Sequence, residues 1–201
     1  MKELVNKSVG ASILISLGVY VLLKMGSPLG PVLFALGLLG VCYMGQNLFT
    51  GKCGFLIADK IAAKDLLIIL IVNLIAGYLM GLMFSITDPE VFKAATLKVD
   101  TWEFSLPFFI KSVMCGVIMY IAVLMHRKGS SLGIIYGIPL FIFCGFQHCI
   151  ANIITLGTAR TMHTSIIICI LGNFIGSLVM WYFSKEEEKQ KPINRRKRKK
   201  A

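Results

Sequence analysis

Six stretches of the chain are almost continuously apolar, and short polar or charged segments separate them. The stretches cover residues 8–25, 29–49, 66–86, 105–125, 132–156 and 163–183. Each is close to the ~20 residues that a helix needs to cross the hydrocarbon layer of a bilayer. A lone strand could not satisfy its backbone hydrogen bonds in lipid, so the pattern predicts six membrane-spanning helices. An even number of spans places both termini on the same side of the membrane.

The composition is that of an integral membrane protein. Hydrophobic residues make up 56% of the 201 residues and charged residues 15%, against about 25% charged residues in soluble domains. These proportions exclude a soluble enzyme and a disordered chain. The length suits one domain, which we expect to cover residues 1–184. The first apolar stretch lacks a small-residue cleavage site, so it is predicted to be a retained span and not a signal peptide.

Positive charge is concentrated at the C-terminal end. Nine of the 21 lysines and arginines lie in residues 185–201, which we interpret as a disordered cytoplasmic tail and not as a nucleic-acid-binding surface. Such a tail also suits contact with anionic lipid. With the N-terminus inside, sixteen basic residues lie on the inner side and four on the outer side. This bias predicts a multi-pass protein of the cell membrane with both termini in the cytoplasm.

The six cysteines do not have the spacing of a disulfide or metal framework. Five of them lie within apolar stretches, and no CxxC is present. They are expected to be small packing residues, so no metal site and no cofactor is predicted. His148 and Cys149 are adjacent, but neighbouring residues of a helix point in different directions. They would make a poor base–nucleophile pair, and no enzyme activity is predicted.

The two halves of the chain resemble each other weakly. Gly45 precedes Asn73 by 28 residues, and Gly145 precedes Asn173 by the same interval. Polar residues interrupt the second and the fifth apolar stretch near these glycines. Two halves of three spans each must have opposite topology in the bilayer. Inverted repeats whose broken helices meet near the midplane are typical of transporters and channels.

Polar residues inside the interrupted stretches are the candidate functional groups. His148 either acts on a solute or is a neutral, hydrogen-bonded member of the helix bundle. Thr50 lies at the break of the second stretch, where its hydroxyl suits an anion or a freed carbonyl. Asn47 and Gln147 suit the satisfaction of the broken backbone. Lys98, in the outer loop before the fourth span, would on its own be a solvated lysine.

Three motifs resemble those of the formate/nitrite transporter family, which also includes hydrosulfide channels. They are GQNLFTGK at residues 45–52, GFQHCIAN at residues 145–152 and LGNFIG at residues 171–176. The usual forms in the family are close to GAELFT, GFEHSIAN and GNIIGG, in this order and on these spans. The resemblance reaches to about Phe183. It implies a homopentamer with an aquaporin-like fold and a pore in each protomer.

The resemblance also implies roles at matching positions. His148 matches the central pore histidine, and Thr50 matches the threonine of the loop that interrupts the second span. Asn173 matches the asparagine of the sixth-span motif, and Lys98 matches a lysine at the outer end of the fourth span once a short gap is allowed. The resemblance thus implies that these four polar residues line the substrate pore. Apolar residues that would otherwise count as core or lipid-facing match the interrupting loop or the narrow parts of the pore: Phe34, Leu38, Leu48, Phe49 and Phe141.

Two positions depart from the family pattern. Asn47 and Gln147 stand where acidic residues usually precede LFT and the histidine. The predicted function is a proton-coupled channel or secondary transporter for a small monovalent weak-acid anion, with formate, nitrite and hydrosulfide left open. A channel for a neutral small solute is the alternative. A structural membrane protein without transport activity would leave the buried His148 unexplained.

Overall fold

The computed structural model describes the backbone of residues 1–189 and the side chains of residues 1–184, and it is helical. The remainder of the predicted tail, residues 190–201, lies outside the described residues. The helices are α1 (Lys2–Met25), α2 (Leu29–Tyr43), α3 (Phe49–Lys52), α4 (Ala63–Thr87), α5 (Pro89–Val99), α6 (Leu106–Arg127), α7 (Leu132–Phe143), α8 (Cys149–Thr158) and α9 (Ser165–Lys189), with a 3-10 turn at Cys53–Phe55.

Four helices in this part of the chain are long and apolar enough to cross a bilayer. They are α1, α4, α6 and the part of α9 up to Ser184, and they coincide with the first, third, fourth and sixth predicted stretches. The second stretch consists of α2 and non-helical residues 44–48 before α3 begins. The fifth consists of α7, non-helical residues 144–148 and α8.

Helix α5 lies in a segment that the sequence pattern predicted to be an outer loop. Asp88 accepts hydrogen bonds from the amides of Glu90 and Val91 and so caps its N-terminus, and Pro89 occupies the first turn. Only one narrow face is apolar and buried, namely Val91, Ala95 and Val99. A helix of 11 residues in which charged and polar residues alternate with apolar ones has no signal of a membrane span, which is why the pattern did not predict it.

Helices α2 and α7 end in the same way. Gly45 and Gly145 have φ values of 62° and 67°, in the left-handed region that a residue with a Cβ avoids. The amide of the next residue donates to the carbonyl five residues back in both cases, which is a Schellman termination. Three residues after each glycine the backbone is extended, at Leu48 and His148, and these residues are the N-caps of α3 and α8.

The short helical segment of each half packs on the last long helix of the other half. Helix α8 contacts α4, the 3-10 turn contacts α9, and α2 contacts α7. Glycine permits this approach, because a Cβ on Gly81 would overlap the carbonyl oxygen of Ile154 in α8. A Cβ on Gly54 would lie 3.2 Å from the carbonyl oxygen of Ser177 in α9 and would also overlap the Tyr120 ring of α6. The helices therefore meet through backbone atoms at these points.

A buried asparagine holds the first break in place. The Oδ1 atom of Asn73 accepts a hydrogen bond from the Phe49 amide at 2.9 Å. Its Nδ2 atom donates to the carbonyl of Ser8 at 2.8 Å and to that of Asn47 at 3.2 Å. One side chain on α4 thus ties the start of α3 and the preceding extended residues to α1.

Asn173 makes the equivalent contacts in the second half. Its Oδ1 atom accepts from the Cys149 amide at 2.8 Å, and its Nδ2 atom donates to the carbonyls of Ser112 at 2.8 Å and Gln147 at 2.7 Å. The asparagine and the residues of the break are shifted by 100 positions from the first half, and the α6 residue is shifted by 104 from its α1 counterpart. The two halves therefore hold their breaks by the same contacts.

We expect Asn73→Leu to destabilise the protein strongly. The variant leaves the buried Phe49 amide and the Asn47 carbonyl without their Asn73 partner, and each such group costs about 1–3 kcal/mol. The midpoint of thermal unfolding of the detergent-purified protein should fall by roughly 5–10 °C. Asn6→Leu, the same substitution at an exposed α1 position, is the matched control. Equal midpoints for the two variants would contradict the role assigned to Asn73.

Candidate functional site

The side chain of His148 lies where the two breaks meet. Its Nδ1 atom accepts a hydrogen bond from the Ala151 amide at 3.1 Å, and its Nε2 atom lies 2.8 Å from the hydroxyl oxygen of Thr50. A backbone amide can only donate, so Nδ1 carries the lone pair and the hydrogen of the neutral imidazole resides on Nε2. The hydrogen-bond network therefore assigns the Nε2–H tautomer, which donates to Thr50 Oγ1.

The histidine and the threonine form a buried, neutral pair. His148 is 2% exposed and Thr50 is 1% exposed. Because Thr50 Oγ1 accepts the imidazole hydrogen, the hydroxyl hydrogen of Thr50 remains to be donated to another acceptor. The pair thus presents one hydrogen-bond donor in surroundings that are otherwise apolar.

Two aromatic side chains form an apolar layer beside the imidazole. The Phe141 ring stacks on the His148 ring with centroids 6.0 Å apart, and Phe34 meets Phe141 edge to face with centroids 6.1 Å apart. Phe34 belongs to α2 and Phe141 to α7, so each half of the chain contributes one ring. Both rings are buried.

A cavity of about 90 Å³ lies against this layer, and we call it the Lys98 cavity. His148, Gln147 and the two aromatic rings line it together with Lys98 of α5. No carboxylate among the described side chains forms an ion pair with Lys98. Burial lowers the pKa of this ammonium group, because desolvation disfavours its charged form.

A second cavity, of about 120 Å³, lies farther along α2, and we call it the Lys52 cavity. Leu38 and Leu48 form its apolar wall, and Lys52, His126 and Arg127 line it as well. Leu48 and Gly51 of this cavity flank Thr50 in the chain, and Thr50 is bonded to His148 of the Lys98 cavity, so the buried pair connects the walls of the two cavities. The arrangement is a polar pair with an apolar layer and a basic cavity on either side.

Arg127 is engaged by neighbouring groups. Its guanidinium donates to both carboxylate oxygens of Asp59, at 2.9 and 2.6 Å, and lies 3.6 Å from the centroid of the Phe55 ring. This paired hydrogen bond holds the pKa of Asp59 below its usual value. The ion pair fixes the end of α6 against the segment that follows α3.

Most of the predicted site residues line one of the two cavities. The Lys98 cavity is lined by Lys98, Phe34, Phe141, Gln147 and His148, and the Lys52 cavity is lined by Leu38 and Leu48. Thr50 joins this set through its hydrogen bond to the histidine.

Phe49 and Asn173 were also predicted to line the pore, but neither is among the residues that line the two cavities. The Phe49 ring stacks with Phe174, their centroids 6.5 Å apart. Both polar groups of Asn173 bind backbone atoms, as described above. These contacts join α3 to α9, and α9 to α6 and the second break.

Gln147 and Asn47 satisfy backbone groups at the two breaks in different ways. Gln147 donates from Nε2 to the Gly145 carbonyl at 3.0 Å and accepts from Asn152 Nδ2 at 3.0 Å. Its side chain thus satisfies a carbonyl of the break. Asn47 takes part through its backbone, because its amide donates to the Lys7 carbonyl and its carbonyl accepts from Asn73.

Sequence reasoning did not assign several polar residues of the cavities to the site, namely Gln46, Lys52, His126, Arg127 and Asn152. Lys52 ends the first motif and lies 100 positions before Asn152 in the second, so the repeat itself contained a signal for both. Arg127 entered only the count of basic residues on the inner side, and His126 entered no prediction. Nothing in their spacing pointed to a cavity.

A group of contacts at Asp88 holds α5, and with it Lys98, in place. The carboxylate of Asp88 accepts from the Tyr20 hydroxyl at 2.8 Å, lies 3.1 Å from Lys24 Nζ and also caps α5. Hydrogen bonds from Tyr20 and then from Lys24 lower the pKa of Asp88 to about 2.

These features define a class of protein. Several apolar helices long enough to cross a bilayer, with two breaks that meet at a buried polar pair, make this a multi-pass membrane protein of the channel type. The formate/nitrite transporter family matches residues 1–182, and the chain belongs to that family. The family resemblance of the three motifs is thereby confirmed.

Individual relatives agree with this assignment. The uncharacterized transporter YrhG of Bacillus subtilis (strain 168) is 27% identical over 184 residues, which covers 78% of this chain and 69% of the relative. An FNT family ion channel superposes with a TM-score of 0.73 at 19% identity, covering 94% of this chain and 90% of the other. A pentameric formate channel with formate bound gives a TM-score of 0.73 at 18% identity, with 94% and 95% coverage. At these identities the two solved structures establish a shared fold.

Acid should reveal the contribution of Asp88 to stability. A carboxyl group with a depressed folded-state pKa stabilises the fold above its unfolded pKa of about 3.9, and this contribution is lost as the pH falls toward about 2. We expect Asp88→Asn to flatten the dependence of the unfolding midpoint on pH between 4 and 2. Tyr20→Phe removes the largest cause of the shift, so it should move the loss of stability to higher pH. Superimposable profiles for the three proteins would contradict the assigned contacts.

Proposed function

We propose that this protein carries a small monovalent weak-acid anion together with a proton past His148. The observation that carries the proposal is the buried, neutral pair of His148 and Thr50, which lies between two basic cavities. Buried ionisable residues are costly in membrane proteins and mark solute paths by default. We assign no enzyme activity and no cofactor to the chain.

The apolar layers favour a neutral solute in transit. Phe34 and Phe141 close the path on one side of the pair, and Leu38 and Leu48 close it on the other. An anion that lost its hydration shell here would pay far more free energy than its conjugate acid would. The solute therefore crosses these layers as the neutral acid.

The proton comes from water at the mouth of the path. Lys98 attracts the anion into its cavity, and the pKa of the solute rises as it loses water. A proton then passes from hydronium to the anion, which gives water and the neutral acid. His148 is a poor donor in this geometry, because Nδ1 is occupied by the Ala151 amide and the hydrogen on Nε2 is bound to Thr50. The acid accepts a hydrogen bond from Thr50 and releases its proton in the Lys52 cavity.

The proposed architecture has six membrane crossings in an inverted three-plus-three arrangement. Helices α2 and α3 make the broken second crossing, and α7 and α8 make the broken fifth. The equivalent contacts of Asn73 and Asn173 support this repeat. The excess of basic residues supports cytoplasmic termini in the cell membrane, with residues 185–201 as a cytoplasmic tail. The Lys98 cavity then faces outward and the Lys52 cavity faces the cytoplasm.

The working assembly is a homopentamer in lipid, with a path in each protomer. Large apolar side chains are exposed along α7, among them Leu132, Tyr136 and Leu140. An apolar groove of about 260 Å³ runs between α6 and α7 at these residues. Lipid or a neighbouring subunit would cover such a surface. A pentameric formate channel shares this fold, which supports a neighbouring subunit as the cover and makes formate the first anion to test.

The test is a stopped-flow uptake assay in proteoliposomes with an inward proton gradient. Formate, nitrite, hydrosulfide, lactate and glycerol form the solute panel. We expect the gradient to accelerate the uptake of at least one of the first three. Thr50→Val keeps the side-chain shape but leaves the imidazole hydrogen unpaired, so it should slow that uptake roughly tenfold. Thr50→Ser keeps the hydroxyl and should retain most of the rate.

His148→Ala removes the imidazole of the polar pair, so it should slow the gradient-driven uptake at least as much as Thr50→Val does. The apolar layers remain in this variant, so the uptake that persists should still depend on the proton gradient. Glycerol passage without uptake of any anion would contradict the proposal and assign the protein to the neutral-solute channels. Equal rates for the valine and serine variants of Thr50 would contradict the role of the hydroxyl.

A further inference from the structure

The Lys52 cavity and the Lys98 cavity occupy equivalent positions of the internal repeat. Several lining residues of one cavity carry the numbers of lining residues of the other shifted by 100, among them Leu48 with His148 and Lys52 with Asn152. The same backbone arrangement therefore forms a cavity on each side of the buried pair. The two cavities differ in the side chains that supply their charge.

Positive charge enters the two cavities from different parts of the fold. Lys98 reaches its cavity from α5, which connects α4 of the first half to α6 of the second half. Lys52 belongs to the wall of the other cavity, because it is the last residue of α3. Both cavities thus contain a lysine although the repeat does not align these two residues.

Lys52 is the cation that remains available to a solute in its cavity. Arg127 also lines the cavity, but both of its terminal nitrogens donate to Asp59. Within residues 1–184, no carboxylate forms an ion pair with Lys52. The cavity volume of about 120 Å³ is far above the ~10–15 Å³ that one water molecule needs. A triatomic or tetratomic anion fits such a space.

We infer that the Lys52 cavity is a second anion-binding site, in which Lys52 binds the small monovalent anion on the side of the protein opposite Lys98. The inference rests on the proposed function for the identity of the anion. An opposite charge favours the ionised form of a weak acid, so Lys52 promotes the loss of the proton from an acid that arrives through the apolar layer. In the reverse direction, Lys52 collects the anion before it is protonated.

The test measures anion transport separately from each side of the membrane. Right-side-out and inside-out membrane vesicles give the half-saturating formate or nitrite concentration for each direction. Lys52→Met should raise this concentration about tenfold from the side of the Lys52 cavity, the loss expected for one charge-assisted hydrogen bond, and less than twofold from the other side. Lys64→Met is the matched control, since this exposed lysine at the start of α4 lies outside the cavity. It should change neither value.

An equal effect of Lys52→Met from both sides, or no effect from either, would overturn the inference and leave the proposed function intact. A second readout does not depend on transport. In a Lys98→Met background, formate or nitrite should raise the thermal unfolding midpoint of the purified protein through the Lys52 cavity alone. This rise should vanish on adding Lys52→Met and persist on adding Lys64→Met.

The stabilisation assay separates the two claims. If the wild-type protein carries no anion but is stabilised by anions in a manner that depends on Lys52, the proposed function fails and the binding site stands. Stabilisation that is the same with and without Lys52 would overturn the site, whatever the transport assays give.

Discussion

The hydrogen bonds of Asn73 and Asn173 are the constraint on which the rest of the structure depends. A helix that stops inside an apolar environment leaves backbone donors and acceptors unsatisfied, and each costs several kcal/mol in lipid. A single buried amide in each half satisfies one donor at the start of the next helix and two carbonyls, one of which belongs to a third helix. The breaks are thereby fixed with few polar atoms, and the surrounding residues remain free to be apolar.

The same backbone then carries different chemistry in the two halves. The extended residue after each break is the N-cap of a short helix, and it is Leu48 in one half and His148 in the other. Leucine adds to an apolar wall, whereas the imidazole caps its helix through Nδ1 and must present Nε2–H to Thr50. The tautomer of the histidine is thus a consequence of the fold, and it supports transit of a neutral acid with water as the source of the proton.

Much of this arrangement is readable from the sequence, and what is not depends on tertiary contacts. The sequence shows local signals wherever the backbone needs a particular residue type. These signals are the continuous apolar stretches, the glycines with positive φ at the breaks, and the asparagines that bond to the broken backbone. The amphipathic α5 is too short and too polar to resemble a span. Thr50 and His148 lie 98 residues apart, and only the family resemblance assigned both of them to one pore. The cavity position of Lys52 has no local signature, and the amide of Asn173 binds backbone atoms although the resemblance suggested a pore-lining role.

The central claim is that the solute crosses as a neutral acid past a neutral histidine. Its most direct test records net current and internal pH together while formate or nitrite enters proteoliposomes that contain the wild-type protein. The account predicts acidification of the interior with one proton for each anion and no net current, whether or not a membrane potential is applied. A sustained anion current without proton entry would contradict it.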